Sequence, residues 1–473
     1  MQFNNSQLKA VKHKSGPMLV IAGPGSGKTT VLTARIRNLI EEYSVNPANI
    51  LVITFTKAAA NEMKSRFNNM MGRSTNVTFG TFHAVFFMIL RAAYNYSVDS
   101  IIKEDVRQNI IKQAIERSRL EPDDLSEMVS NITGEISRVK TETIDINAYY
   151  SASCPEEEFR DIYKYYVKTL KKMGLIDFDD MLLYCHELLT TRRDILAKWQ
   201  QKYQYILIDE FQDINKIQYD IIKLLAKPQD NLFIVGDDDQ SIYGFRGSKP
   251  EIMLNFDKDY PDTDKVILDT NYRSTGNIVS AAGKVIAHNK VRFAKNINTV
   301  NDPGDKVDII EFNTQAEEYE KIIDNIRKES ASGGNYSDNA VLFRTNSTAA
   351  GFVRKLVEYS VPFVTRDGVP NVFEHWIARD VITYMNIAMG SRKRSDFLQI
   401  INRPKRYIGR DYLADAEISF DNLEKYYEDK NWMIERVDRL KYDILAMASM
   451  SPYAMINYLR KGVGYDGYLD EYA

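Results

Sequence analysis

In the first quarter of the chain, short β-branched and aliphatic runs alternate with apolar positions at helical spacing. MLVIA (18–22) is followed by Leu32, Ile36, Leu39 and Ile40, then by NILVITFT (49–56), an order that predicts a parallel α/β sheet. From about Phe86 to Gln200 the strand pattern stops and segments such as FRDIYKYYVKTLKKM (159–173) carry helical spacing, which predicts a helical insertion over 86–200. Strands return at YILID (205–209), LFIVG (232–236) and KVILDT (265–270), so one sheet domain is expected from 1–85 and 201–270. A second alternating region holds VDIIEF (307–312), a helix from about Gln315 to Glu329, an SGGN loop (332–335), AVLFRT (340–345) and another helix. It predicts a second α/β domain over 271–375. Beyond Phe373 the pattern is helical as far as Ala473, so 376–473 reads as a second helical insertion and the second sheet is left unfinished.

Composition narrows the class without naming a chemistry. At 473 residues the chain is too long for one core, and 44% apolar with 27% charged residues fits globular domains. A net charge of −3 gives no global basic signature, so any nucleic-acid contact must rest on local patches. Cys154, Cys185 and five histidines exclude a disulfide framework and leave no metal cluster of recognisable spacing. The start MQFNNSQLKA lacks the regions of a signal peptide, and no apolar run approaches the roughly 20 residues of a membrane span. A cytoplasmic enzyme is the expectation.

The segment LVIAGPGSGKTT (19–30) sets an apolar strand, a glycine-rich turn and a helix start in the order phosphate binding requires. Gly23, Gly25 and Gly27 can adopt backbone angles closed to other residues, so successive N–H groups can curl around an anion at the positive end of the following helix. Lys28 is expected on the β- and γ-phosphates of ATP and Thr29 on Mg²⁺, with Ser26 and Thr30 completing the loop; Ala22 stands where the pattern usually begins with glycine. ILIDEFQD (206–213) supplies the distant acidic partner. Asp209 would bind Mg²⁺ through its water shell, and Glu210 would orient and deprotonate the attacking water. LFIVGDDDQ (232–240) ends a further buried strand in three aspartates and Gln240, an amide able to sense the γ-phosphate.

The order of GPGSGKTT, ITFTKAAANEM (53–63), FGTFH (79–83), LIDEFQD, VGDDDQSIYGFRG (235–247) and DTNYRST (269–275) resembles the UvrD/Rep-type superfamily 1 helicases. The resemblance runs on through RTNSTA (344–349) and VFEHWIARDVITYMN (372–386) to NRPKRYIG (402–409). It implies a RecA-like P-loop NTPase domain with a helical insertion, then an incomplete second RecA-like domain with its own insertion. It further implies that Gln7 reads adenine, Tyr272 stacks on it, Arg35 lies near it, and Arg273 reaches the γ-phosphate. The same comparison places Phe55 and Phe245 as base-stacking plates and Thr56, Thr81, His83, Arg246 and Asn346 along sugar and phosphate, which is contact without sequence readout. Phe245 stands where the family usually has tryptophan. Lys405 and Arg406 fall in the family's duplex-contacting motif, whose Gly-Ile-Gly is here Tyr407-Ile408-Gly409.

An ATP-dependent 3′→5′ DNA helicase or single-stranded DNA translocase is therefore what the resemblance implies, with single-stranded DNA and single/double-strand junctions as partners. The family's TxHxxKGLE-like motif and a further γ-phosphate arginine motif do not occur in these residues. An arginine finger is worth orders of magnitude in phosphoryl transfer, so weak or absent unwinding by this polypeptide alone is expected; the alternative reading is a truncated, non-unwinding nucleotide- and DNA-binding module.

Overall fold

The computed structural model describes the chain except residues 1–2, 119, 121–124, 245–246, 367–372, 374, 410–412, 414 and 473, with the backbone alone at 346, 347 and 472. Two compact units divide at 308/309.

In the first unit, β1 (Met18–Ala22), β2 (Ile50–Thr54), β3 (Thr78–Thr81), β4 (Tyr205–Ile208), β5 (Leu232–Gly236) and β6 (Asp264–Leu268) form one parallel sheet in the order β3-β2-β4-β5-β1-β6. Side-chain alternation gives the central strands two buried faces. Leu19, Ile21, Leu51, Ile53, Ile206, Ile208 and Ile234 form one core. Met18, Val20, Ala22, Ile50, Val52, Leu207, Phe233 and Val235 form the other, under α1 (Asn5–Lys12), α2 (Lys28–Glu41) and α3 (Lys57–Met71). This is why these strands read as continuous apolar runs rather than as alternating ones.

The helices between β3 and β4 serve two cores. Phe82, Val85, Phe86 and Ile89 of α4 (Phe82–Ala93) join the first sheet core. The last two helices before β4, Phe178–Thr191 and Arg193–Lys202, contribute Leu182, Leu188 and Trp199 to that same core. A separate core of Ile111, Ile132, Phe159 and Tyr166 is built from the helices Glu104–Arg117, Leu125–Thr141 and Glu156–Met173. The separately cored part thus lies inward of 86 and 200, because the flanking helices are spent covering the sheet. Residues 271–308, expected to open the second domain, fall within the first unit, where Thr270–Asn271 pairs with Asn298–Thr299.

The second unit has two cores. Tyr319, Ile323, Phe352, Leu356 and Val361 gather between the helices Gln315–Ala331 and Asn346–Glu358. A larger set, including Tyr384, Phe397, Leu440 and Leu459, holds the helices from Trp376–Ala388 onward. The segments 309–312 and 340–344 form no regular element, and among the described residues of this unit the only β pairing is one bridge, Lys393 to Glu417. Strand-forming sequence here pairs with no neighbouring strand.

Candidate nucleotide and nucleic-acid site

Because every strand of the main sheet is parallel, all their C-terminal ends meet one edge. That edge gathers the turn after β1, the acidic ends of β4 and β5, and the segments after β2, β3 and β6.

The turn after β1 has the geometry of an anion cradle. Gly25 and Gly27 have φ of +66° and +83°, and Gly27 caps α2 without any side-chain hydrogen bond. Among the described residues, the backbone N–H groups of Gly27, Lys28 and Thr29 meet no acceptor, so unpaired donors converge at a helix start. The Gly25 backbone is approached so closely that a Cβ there would lie 2.9 Å from both Asn271 Oδ1 and Arg273 Cβ. Asn271 makes that approach rigid: its Nδ2 donates to the Pro24 carbonyl at 2.8 Å while its Oδ1 accepts from the amides of Arg273 and Ser274.

Gln7 and Tyr272 come to the same turn. Gln7 Nε2 donates to the Ser26 carbonyl (3.1 Å), the Tyr272 amide donates to the Gly25 carbonyl (3.0 Å), and Asn4 Nδ2 donates to the Tyr272 hydroxyl (2.9 Å). Ala22 is buried, Ser26 Oγ donates back to the Gly23 carbonyl, Thr29 and Thr30 are half-buried on the first turn of α2, and Arg273 is exposed beside the loop. Arg35 is a correction. It lies two turns along α2, about 10 Å from Lys28 at 1.5 Å per residue. Its guanidinium is buried over the Phe233 ring, 4.5 Å from the centroid, with Nε and Nη1 unpaired. Burial lowers its pKa to about 9. It belongs to the core under the sheet, away from the group formed by Gln7 and Tyr272.

Lys28 reaches across to the end of β4, where its Nζ lies 3.2 Å from Glu210 Oε2. Glu210 adopts a left-handed backbone (φ 52°, ψ 46°), uncommon outside glycine. Asp209 is buried and forms no ion pair among the described residues; its Oδ1 accepts from the Glu210 amide at 3.1 Å. Burial, reinforced by the Glu210 charge, pushes its carboxyl up to about 6 despite the nearby Lys28.

Two residues not singled out in the sequence reading hold these acidic strand ends. Gln212 Nε2 donates to Glu210 Oε2 at 2.9 Å, and its Oε1 accepts from the Asp237 amide at 3.0 Å. A Cβ on Gly236 would lie 2.7 Å from that Oε1, so a larger residue there would displace the Gln212 amide. Lys295 Nζ, fully buried, lies 2.5, 2.6 and 2.7 Å from Asp237, Asp238 and Asp239, and Arg292 grips Asp239 with two hydrogen bonds. Gln240 donates Nε2 to Asp237 Oδ2 at 2.6 Å, so its amide is turned toward this cluster rather than toward Lys28. The aspartates that could suggest a cation site already hold an ammonium group. Lys295 lies in AKNINT, which reads as an ordinary polar loop, and nothing local in the sequence ties it to a strand end nearly sixty residues earlier.

The other half of the edge is aromatic. Phe55, after β2, stacks on Tyr243 with centroids 4.8 Å apart, and His83, on the first turn of α4, meets Phe178 edge-on at 5.4 Å. All four line a cleft of about 1480 Å³ between the sheet edge and the separately cored helices. Thr56 and Thr81 cap α3 and α4, accepting from the amides of Ala59 and Ala84. Burial lowers the His83 pKa, which keeps the ring neutral and leaves it a hydrogen-bonding and packing group. Phe178 was missed by sequence reasoning, because its exposure at a helix start shows only in the structure. It is fixed by a buried cluster in which Lys140 Nζ bridges Asp177 (2.6 Å) and Asp180 (2.7 Å) while Tyr166 donates to Asp177.

Phe245 and Arg246 lie outside the described residues, as does the side chain of Asn346. In the second unit, Lys405 is exposed and pairs with Glu471 at 3.3 Å. Arg406 is the second correction: it is buried, Nη1 donates to the carbonyls of Ile400, Ile401 and Pro404, and Nη2 donates to the Tyr384 hydroxyl. A guanidinium committed to main-chain carbonyls is a structural brace, not a duplex contact. Tyr407, at a position where the family pattern has glycine, has φ 58°, the backbone region glycine favours.

Comparison with known proteins agrees with this arrangement. The family of the UvrD/REP helicase N-terminal domain matches residues 3–261, and that of the UvrD-like helicase C-terminal domain matches 266–431. The ATP-dependent DNA helicase PcrA of Staphylococcus epidermidis is 36% identical over 417 residues, covering 86% of this chain and 56% of the relative. The putative ATP-dependent DNA helicase YjcD of Bacillus subtilis is 33% identical over 482 residues, covering 99% and 63%. The chain thus spans about three-fifths of the length of these relatives. Anion cradle, paired acidic strand ends and ordered motifs lie within the matched stretch, and the chain belongs to the UvrD/REP helicase family.

Proposed function

We propose that this chain carries the ATP-hydrolysing site and part of the single-stranded DNA track of an ATP-dependent, 3′→5′ DNA helicase. The observation that carries the reading is Lys28 resting on Glu210 at the mouth of an unpaired amide cradle, on the sheet edge that also supports an aromatic-lined cleft. The amides of Gly27, Lys28 and Thr29 bind phosphate oxygens, Lys28 leaves Glu210 for the β- and γ-phosphates, and Tyr272 offers its ring to the base. Glu210, once released, accepts a proton from the attacking water. Gln212 holds Glu210 in that orientation. ATP turnover by the chain, with and without single-stranded DNA and with Lys28 replaced, tests the reading; turnover indifferent to Lys28 overturns it.

Thr29 and Asp209 suit Mg²⁺, because a buried carboxylate with no ion-pair partner is one that a divalent cation offsets. When bound, the ion neutralises phosphate charge. Asp209 must be ionised to hold it. With the free carboxyl at about 6, Mg²⁺-dependent nucleotide affinity is expected to level off above pH 6 and to fall by up to about tenfold per pH unit below it. Titration by calorimetry should show this fall in the native chain and lose the Asp209 component in Asp209→Asn; an identical slope in both would exclude Asp209.

The aromatic cleft suits unstacked bases, since every base has a π-face. Phe178→Ala is expected to weaken binding of an oligothymidylate by about 5- to 150-fold, corresponding to roughly 1–3 kcal/mol per stacked base. Fluorescence anisotropy measures it; an unchanged dissociation constant would return Phe178 to a packing role. No helix among the described residues is long and apolar enough to cross a membrane. Both cysteines are free thiols, in keeping with the cytoplasm.

A further inference from the structure

The cleft that holds Phe55, Tyr243 and Phe178 is aromatic but not basic. Among the described residues its lining carries Glu135, Glu142, Asp179 and Asp213 against two cations, Arg107 and Arg138, with His83 kept neutral by burial. Both arginines are already engaged, Arg107 with Glu104 at 2.7 Å and Arg138 with Glu142 at 3.5 Å. A phosphate carried into this space would meet like charge and no spare cation among these residues. A strand seated here therefore gains by turning its backbone outward and its bases in.

What the bases then meet are acceptors. Asp179 follows Phe178 on the first turn of the helix Phe178–Thr191, and both line the cleft. Burial and the charges of Asp177 and Asp180 push its carboxyl up to about 6, against Lys140 and a hydrogen bond from Ser137. At pH 8 it is ionised and can accept but not donate, and one serine hydroxyl leaves most of a carboxylate's lone pairs open. Asp213, on the turn after β4, is 7% exposed, and its Oδ1 has no partner among the described residues, so the lining holds a second unfilled acceptor.

We propose that Asp179 gives the cleft a preference for bases that carry an exocyclic amino group over those with a carbonyl in its place. The amino group of cytosine donates to a carboxylate, whereas the O4 of thymine or uracil is itself an acceptor and is repelled. The inference rests on the cleft being the seat of the strand. Phe178 supplies the stacking that every base can use, and Asp179 the edge contact that only some can satisfy.

Oligodeoxycytidylate and oligodeoxyuridylate of equal length are the probes, since their bases differ at the 4-position, amine against carbonyl. At pH 8, fluorescence anisotropy on the native chain is expected to show the cytidylate bound about three- to tenfold more tightly, the worth of one hydrogen bond. Asp179→Asn, whose amide both donates and accepts, is expected to bring the two dissociation constants within about twofold while melting with the native chain. In the native chain the preference should also fade as pH falls through about 6, where Asp179 takes up a proton and becomes able to donate to O4, a check that does not depend on the variant's fold. Equal binding of the two probes by the native chain, or a native-like ratio in Asp179→Asn, would overturn the proposal. So would an asparagine variant that binds both probes more tightly by the same factor, since the carboxylate would then act only by repelling phosphate. Failure of the underlying reading looks different: neither probe binds, and both inferences fall together.

Discussion

Glu210→Gln is expected to lower ATP turnover by about 10²- to 10⁴-fold, the range for removing a positioned general base, while nucleotide binding holds or tightens. Two opposing consequences follow from one contact. Glu210 Oε2 receives both Lys28, at 3.2 Å, and Gln212 Nε2, at 2.9 Å. A glutamine side chain keeps the size of the group and can still accept from Gln212 through its carbonyl oxygen. It cannot take a proton from water, and it no longer holds the Lys28 ammonium group by charge. The lysine is thereby released toward incoming phosphates, so the dissociation constant for a non-hydrolysable ATP analogue should stay level or fall. Lys28→Ala supplies the contrast, losing analogue binding and turnover together. Steady-state turnover alongside equilibrium binding separates the two; Glu210→Gln turning over within a few-fold of the native chain would exclude Glu210 as the base.

Local sequence was sufficient to locate the parts of the candidate site that rest on one strand and the turn after it. MLVIA followed by GPGSGKTT, and YILI followed by DE, each put strand, turn and functional group within a dozen residues, and the structure brings these groups to one edge because the strands are parallel. It was insufficient where the decisive fact is which way a cation faces. Arg35 lies on α2 and Arg406 in a basic run, yet one is buried over Phe233 and the other is spent on main-chain carbonyls. Positive charge at helical spacing says nothing of the Å-scale packing that turns a guanidinium inward. The strand pattern at 340–345 was also read from its own residues, but pairing needs a neighbour, and strand propensity describes only a fit to a pleated surface. Gln212 and Lys295 act through contacts 25 to 58 positions away, a separation that no local pattern encodes.

Lys295→Met is expected to destabilise the first unit by about 3–5 kcal/mol, the cost of leaving one partner of a buried ion pair uncompensated. The native arrangement places one fully buried ammonium group within 2.7 Å of three carboxylates. Burial would raise the Asp239 carboxyl, but hydrogen bonds from Arg292 and Lys295, with their charges, hold it below the usual range. A carboxylate with a depressed folded pKa contributes stability above its unfolded value, near 3.9, and loses it as pH falls through the folded one. In the methionine variant the same carboxylates lack the ammonium group and gain from protonation instead. The stability gap between native and variant chains should therefore be widest at neutral pH and narrow as pH falls through about 4 and below, which denaturant melts from neutral to acid pH would measure. Lys295→Arg should recover only part of the loss, because a planar guanidinium cannot present one point charge to three converging acids. The loss should reach the ATP site as well, since Asp237 is joined through Gln212 to Glu210. A destabilised acidic loop lowers turnover in the methionine variant even at temperatures where it remains folded, with partial recovery in the arginine variant. A gap that is small, or flat with pH, would mean that Arg292 alone neutralises the cluster.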